Sequence, residues 1–428
     1  VDQSYLSKPY TFIKPVRTTF WGHLLKPFYH RIMNSRYMID RFDIRGTEHL
    51  RRSVEAKKGV LLSANHCRYS DPFVMGEVMR TTNIFLYFCA SWHLFCVSKT
   101  QTWILRRMGA MSIYREGTDR ECIRECQRVL EEAERPIVLF PEGTFYRQND
   151  ELGPLQDGVS FIARLTQKKE VRPIVIHPVA IKYWFTEDPT AAIEKRLAQL
   201  ERRCHCHPKM GVSFVDRLKW IGNALLTVKE MEVFGKPQSG GLEERQIALA
   251  NHICGSFEER YFGKSKRNSL MERLRLLRNH IVKLFAETPQ HTPEWYELLY
   301  QIEDLAFVQQ LFSHSWRYID DWPSFERIAE TLTRLEEDLY DEETPIAKTG
   351  VIIEFGEPIE VANYMSKKSR GEGDPITVEL ARRTQGMLDS LVQQGPPPSW
   401  NAPTGPGPRR SAAAAEDAEV VSPSGTSL

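Results

Sequence analysis

Three short segments of the chain carry side chains suited to chemistry. The first is Asn65-His66-Cys67-Arg68-Tyr69-Ser70-Asp71-Pro72, directly after the apolar run Val60 to Ala64. An imidazole five residues before a carboxylate can have one ring nitrogen held by that acid, which fixes the tautomer and leaves the other nitrogen as a base. The structural alternative is that Asp71 only caps the helix that Pro72 starts. The second segment is Phe140-Pro141-Glu142-Gly143-Thr144-Phe145, again behind an apolar run. Glu142, Gly143 and Thr144 at such an exit can hold substrate hydroxyls, or form an ordinary turn. The third, Gly109 to Arg115, is a short extended segment ending in a cation that can face a phosphate. Cys204-His205-Cys206-His207 has metal-binding residue types. Alternate residues of a strand face opposite ways, however, and no second CxxC or HxxxH closes a tetrahedral set, so no metal is expected.

These segments need a frame that brings them to one edge. From Gly59 onward, short apolar runs alternate with helical stretches. Strands are expected at Val60–Ala64, Ile84–Cys89, Ile137–Phe140, Ile174–Ile181 and Val212–Val215, with helices at Pro72–Arg80, Gly117–Ala133 and Gly158–Gln167. This is the pattern of an α/β domain with a mostly parallel central sheet flanked by helices. In such a sheet ligands bind beyond the carboxyl ends of the strands, where His66 is delivered. Residues 219–349 are helical. Leu270, Leu274, Leu277, Ile281 and Leu284 make one stripe, Phe325, Ile328, Leu332, Leu335 and Leu339 another, and Trp295 to Leu311 supplies a third helix. Strand character then returns at Val351 to Phe355. The organisation expected is an N-terminal segment 1–45, an α/β domain 46–218, an added helical module 219–349, a last strand and helix of the α/β domain at 350–394, and a Pro-, Gly- and Ala-rich disordered tail 395–428. A separate C-terminal helical domain is the alternative.

Residues 1–45 stand apart. No acidic side chain lies between Gln3 and Ile39, while Lys8, Lys14, Arg17, Lys26, Arg31 and Arg36 do. Phe20, Leu24, Phe28 and Ile32 recur at helical spacing, shadowed by Trp21, Leu25, Tyr29 and Met33. Such a basic amphipathic helix suits a membrane interface; the alternative is a helix packed on the main domain and kinked at Pro27.

Composition narrows the class. The 428 residues carry Lys+Arg 57 against Asp+Glu 56, a net charge of +1, which argues against a dedicated nucleic-acid binder. The uncharged stretch Thr81 to Ser98 reads as a buried strand plus connection rather than a membrane span. Eight cysteines without scaffold density, and no opening secretory signal, give the expectation of reduced thiols in a cytosolic setting. There is no G-x-S-x-G elbow, no complete phosphate loop and no H-E-x-x-H.

Taken in order, NHCRYSD, GAMSIYR, FPEGT and Val175-Ile176-His177-Pro178-Val179-Ala180 resemble the four sequence blocks of the glycerolipid acyltransferases, the 1-acylglycerol-3-phosphate acyltransferase type and its relatives. The resemblance covers roughly residues 45 to 185. It implies acyl transfer from acyl-CoA or acyl carrier protein to a hydroxyl of a lysolipid or glycerolipid acceptor, with no bound cofactor or metal. By that likeness His66 is the general base, Asp71 orients it, Glu142, Gly143 and Thr144 position the acceptor, Arg115 meets its phosphate and Pro178 shapes the cleft wall. Members with phosphate acceptors usually carry Arg after the EGT of the third block, where this chain has Phe145, and a Lys where it has Asp157. Arg147 is the nearby cation that can substitute. The partners implied are the acyl donor, the lipid acceptor and a membrane surface met peripherally from the cytoplasmic side. A coenzyme-independent transacylase, a thioester hydrolase and a non-catalytic lipid-binding protein that keeps the fold are the alternatives.

Overall fold

The computed structural model describes residues 4–209, 211–263, 269–313, 315–340, 344–366, 373–400 and 402–403. An eight-stranded sheet forms its centre: β1 (Ile39–Arg45), β2 (Gly59–Ala64), β3 (Tyr87–Ser91), β4 (Ala110–Ile113), β5 (Ile137–Leu139), β6 (Ile174–Phe185), β7 (Thr349–Phe355) and β8 (Ile359–Glu360). Their order is β1-β7-β6-β2-β5-β3-β4, with β8 paired to β6. All neighbours are parallel except β6 with β7 and β6 with β8. This is the α/β class expected from the alternation of runs.

The central strands are covered on both faces, which is why β2 and β6 are largely apolar and are buried along their whole length. Val60, Leu62, Val175 and Val179 pack into one layer with Met33, Leu50 and Val78. Leu61, Ile174 and Ile176 pack into the other with Val129, Leu130, Ile162 and Leu380. The closeness of that second layer needs Gly59: a β-carbon there would meet the Leu130 carbonyl oxygen at 2.7 Å and Ile174 at 2.5 Å.

Local chemistry moved several expected boundaries. Pro72–Arg80 is two short helices, Asp71–Val74 and Gly76–Thr82. The helix expected from Gly117 starts at Arg120, where the Asp119 carboxylate accepts from the Cys122 N–H at 2.9 Å. Val212–Val215 is not a strand. The Ser213 hydroxyl caps the 21-residue helix Phe214–Phe234, accepting from the Asp216 N–H. The boundary placed at 218/219 therefore falls inside a helix.

Between β6 and β7 the chain makes its helical excursion: Thr190–Arg203, Phe214–Phe234, Leu242–Phe262, Leu270–Glu287, Pro293–Phe312, Arg317–Asp321 and Phe325–Tyr340. Leu249, Ile281 and Ile302 centre one apolar cluster, and Leu197, Leu218 and Leu332 another. The excursion ends in β7, which lies between β1 and β6, so the module is inserted within the order of the sheet. The segment assigned to a disordered tail begins differently. Pro398–Trp400 is a 3-10 turn whose Trp400 ring is buried against Ala180, Ile352 and Leu388. Residues 404–428 lie outside the described residues.

At the N-terminus, Phe20–Leu25 and Tyr29–Tyr37 are helices joined by a 3-10 turn that holds Pro27. The two apolar rows separate. Trp21, Leu25, Tyr29 and Met33 turn toward the protein, while Phe20, Leu24, Phe28 and Ile32 are 59%, 47%, 56% and 43% exposed. No helix among the described residues is long and apolar enough to cross a membrane.

Candidate active site

His66 leaves the carboxyl end of β2, the strand flanked by β5 and β6. The residue before it anchors the loop. The Asn65 side-chain amide donates to the Ile181 carbonyl at 3.0 Å, and its oxygen accepts the Ile181 N–H at 2.7 Å, pinning the chain to β6. The loop then closes on one fully buried carboxylate. Asp71 Oδ2 accepts from His66 Nδ1, the Cys67 N–H and the Arg68 N–H, each at 2.8 Å. Its other oxygen, Oδ1, accepts from the Tyr183 hydroxyl at 2.7 Å. Asp71 is thus more than the helix cap considered from its sequence position. It is the first residue of the short helix, and its side chain turns back onto the loop.

A carboxylate acceptor fixes the proton on Nδ1. Nε2 makes no hydrogen bond among the described residues, and the ring borders the groove. Phe140, directly after β5, stacks on the imidazole with centroids 4.1 Å apart, and Phe145 meets it edge-on. The ring is therefore fixed by an acid at one nitrogen and by two aromatic rings, one stacked and one edge-on.

Glu142 is buried beneath this loop. Oε1 accepts the His66 N–H at 2.7 Å and Oε2 the Gly153 N–H at 3.1 Å. Burial pushes its carboxyl up to about 8; the two backbone donors oppose the rise and the nearby Asp71 charge adds to it. Gly153 is required here, since a β-carbon would meet Glu142 Oε2 at 2.6 Å. Glu142, expected to position the acceptor, thus holds two loops together while bordering the groove. Gly143 and Thr144 border the groove as well.

The groove has a volume of about 1910 Å³, larger than a drug-sized ligand requires. It runs over the carboxyl ends of the strands and includes Arg115, which follows β4. Arg115 is exposed to the groove yet deep in it, so loss of bulk water lowers its pKa from the ordinary arginine value. It makes no ion pair among the described residues. Neighbouring Glu116 is instead paired with Arg278 of the helical module at 2.9 Å. Met271, Leu274 and Arg278 give the groove a wall from that module, and Leu25, Tyr29 and Ile32 give it one from the N-terminal helices.

Two expected residues lie elsewhere. Arg147 is buried, 2% exposed, with its guanidinium donating to Glu337 at 2.8 Å and 3.1 Å, and it does not border the groove. It therefore does not replace the cation missing at Phe145. Pro178 faces the β7 turn, its carbonyl accepting the Gly356 N–H at 2.9 Å, and is also absent from the groove wall. Asp157 borders the groove and accepts from the Thr377 hydroxyl. Cys204 to His207 do not converge, and Cys206 Sγ contacts the Cys204 carbonyl. The metal-capable cluster among the described residues is Cys89, Cys122 and Cys126.

The sequence reading missed Tyr183, the two phenylalanine contacts of His66, and His93. His93 borders the groove, and burial, aided by the Arg115 and Arg278 charges, lowers its pKa to about 4. Alternation along β6 is the one available signal for Tyr183, because it puts Tyr183 on the same face as Val179 and Ile181, toward the loop.

No curated protein matches the chain. Residues 41–182 match the family model described as Acyltransferase, a span that runs from β1 through the His66 loop and the Glu142 turn into β6. Over those residues the chain carries an acyltransferase domain, of the 1-acylglycerol-3-phosphate acyltransferase-like family, and with it the capacity for acyl transfer to lipid.

Proposed function

We propose that the protein moves a fatty acyl chain from a thioester, acyl-CoA or acyl carrier protein, to a hydroxyl of a lysolipid or glycerolipid acceptor. The supporting observation is the 2.8 Å pair of His66 Nδ1 and Asp71 beside a groove of about 1910 Å³. Nε2 of His66 takes the proton of the acceptor hydroxyl as its oxygen attacks the thioester carbonyl. The tetrahedral adduct collapses, the C–S bond breaks, and the leaving thiolate takes the proton back from the imidazolium. The acyl group passes directly to the acceptor, so no acyl-enzyme forms. The apolar groove limits water, which favours transfer over hydrolysis. Asp71 keeps the tautomer, and Arg115 meets an anionic headgroup. With Arg147 committed to Glu337, an acceptor receives fewer cations here than in relatives with Arg after the EGT.

The enzyme works peripherally at the cytoplasmic face of a membrane. The exposed row Phe20, Leu24, Phe28 and Ile32 supports this, together with Lys26, Arg31 and Arg36 on the same segment. Phe73 and Ile104, also exposed, border the groove as Ile32 does, which adds apolar surface to the same groove.

The test incubates purified protein with labelled acyl-CoA and vesicles holding a panel of lysolipids, followed by mass analysis of products. A new diacyl product, lost in His66→Ala while vesicle binding persists, is expected. Transfer that survives His66→Ala removes the base assignment. Product formed without any thioester indicates a transacylase, and free fatty acid without acceptor indicates a hydrolase.

A further inference from the structure

Cys89 lies on β3, and Cys122 and Cys126 lie one turn apart on the helix Arg120–Glu132. Strand and helix meet so that Cys89 Sγ is 4.0 Å from Cys122 Sγ and 3.7 Å from Cys126 Sγ, and all three sulfurs lie within 4.8 Å of one another. A soft metal bonds thiolate sulfur at about 2.3 Å, so three thiolates around one ion stand roughly 4 Å apart. The two separations from Cys89 match that spacing, and Cys122 and Cys126 lie within 4.8 Å of each other.

Free cysteines often serve a core as small apolar side chains, and the other five in this chain, Cys67, Cys96, Cys204, Cys206 and Cys254, are free thiols outside this cluster. Two features set the trio apart. Its sulfurs converge on one point, the sole such group of three metal-binding side chains among the described residues. It also has an entry path: Cys89 and Cys122 border the groove, and Cys126 lies behind them, fully buried.

We propose that Cys89, Cys122 and Cys126 form a three-thiolate site for a soft, thiophilic cation of the zinc and copper(I) class, reached from the groove. Soft thiolate sets select such ions over hard ones. The surroundings on the side away from the groove, Met111, Leu139 and Ile162 among them, are apolar. Binding an ion displaces the thiol protons.

The experiment titrates the reduced, metal-free full chain with Cd(II) alone, following the thiolate charge-transfer absorption, the heat of binding and proton release. One equivalent is expected to bind with a saturating band and to raise the melting temperature. Cys89→Ser, Cys122→Ser and Cys126→Ser should each lose that band, while the double variant Cys204→Ser/Cys206→Ser keeps it. Melting in metal-free buffer checks that each variant folds. Absence of a one-equivalent band in the wild-type chain overturns the proposal without any variant, and so does a band that persists in folded Cys89→Ser/Cys126→Ser. A band lost only in Cys204→Ser/Cys206→Ser places the ion elsewhere and overturns it too.

Discussion

The Phe145 ring stands at 64° to the His66 imidazole with centroids 4.2 Å apart, at the position where the resemblance to acyltransferases of phosphate acceptors leads to the expectation of Arg. It also packs on Tyr69, centroids 4.5 Å apart. The residue standing where that cation is expected thus packs on the proposed base. An aromatic pair of this kind contributes about 0.5–1.5 kcal/mol beyond its buried area, and small displacements of a catalytic group cost rate steeply. Phe145→Ala is expected to lower kcat roughly tenfold with little change in acceptor KM. Phe145→Arg should lower kcat likewise but reduce KM for a phosphorylated acceptor relative to Phe145→Ala. Steady-state kinetics on one phosphorylated and one neutral acceptor measure both, and an unchanged kcat in Phe145→Ala denies the ring its supporting role.

What the sequence shows of this site follows the distance over which it is encoded. His66 and Asp71 are five residues apart, and a strand with a helix start lies between them, so their pairing is readable locally. Tyr183 reaches the same carboxylate across 112 residues, and only the register of β6 beside β2 brings it there. Arg147 shows the opposite outcome. Its place after the EGT suggested a groove cation, but Glu337, 190 residues away on the inserted helix Phe325–Tyr340, turns it inward. The α/β alternation was legible because the β strands are apolar runs between helices. Trp400 was not, since a lone aromatic among Pro, Gly and Ser gives no periodic signal, and its burial depends on the space above Gly350.

Glu142 gives the site a pH signature. Its carboxyl is raised to about 8, chiefly by burial, whereas the unfolded chain has it near the ordinary 4.5. Between those values the native state holds the extra proton, so this group's contribution to stability falls as pH rises and is lost above about 8. Other groups titrate in the same range: burial raises Glu330 to about 7 and lowers His177 to about 4. Comparing wild type with Glu142→Gln removes them, because both proteins share them. The stability of Glu142→Gln relative to wild type should increase with pH by on the order of 1 kcal/mol per pH unit between about 5 and 8. Urea unfolding across that range tests this, and a pH-independent difference contradicts the buried-acid assignment.

Arg327 ties the inserted module to the loops that hold Asp150 and Arg68. It donates to Asp150 at 2.6 Å, the same carboxylate that receives the fully buried Lys182 at 2.6 Å, and its guanidinium covers the Tyr318 ring at 4.2 Å. Tyr318 in turn donates to Glu330, whose carboxylate lies 3.5 Å from Arg68, two residues past His66. Removing one member of a buried charge group leaves the others uncompensated, at a cost of about 3 kcal/mol. Arg327→Met should therefore lower the melting temperature clearly. At temperatures where the variant stays folded it should also lower kcat, because the loop from Arg147 to Gly153 is released. Calorimetric melting and single-turnover rates read the two effects. Full activity in a destabilised variant would confine the module to a stabilising role.

The outward row of the N-terminal helices predicts how the enzyme meets its substrate. Phe20 and Phe28 are 59% and 56% exposed and do not border the groove, whereas Ile32 and Leu25 of the same segment do. Inserting the row into a lipid surface would bring the groove mouth to the acyl chains, with Lys26, Arg31 and Arg36 facing anionic headgroups. A large apolar side chain contributes roughly 1.5–3 kcal/mol when fully transferred from water. Phe20→Ser/Phe28→Ser is thus expected to weaken association with anionic vesicles by about tenfold or more without lowering the melting temperature, since neither ring belongs to the core. Raising salt should weaken the wild-type association further, because the cations act through a screened field. Vesicle sedimentation at low and high ionic strength measures both. Equal sedimentation of variant and wild type would show that this row faces water during catalysis and that lipid enters the groove by another edge.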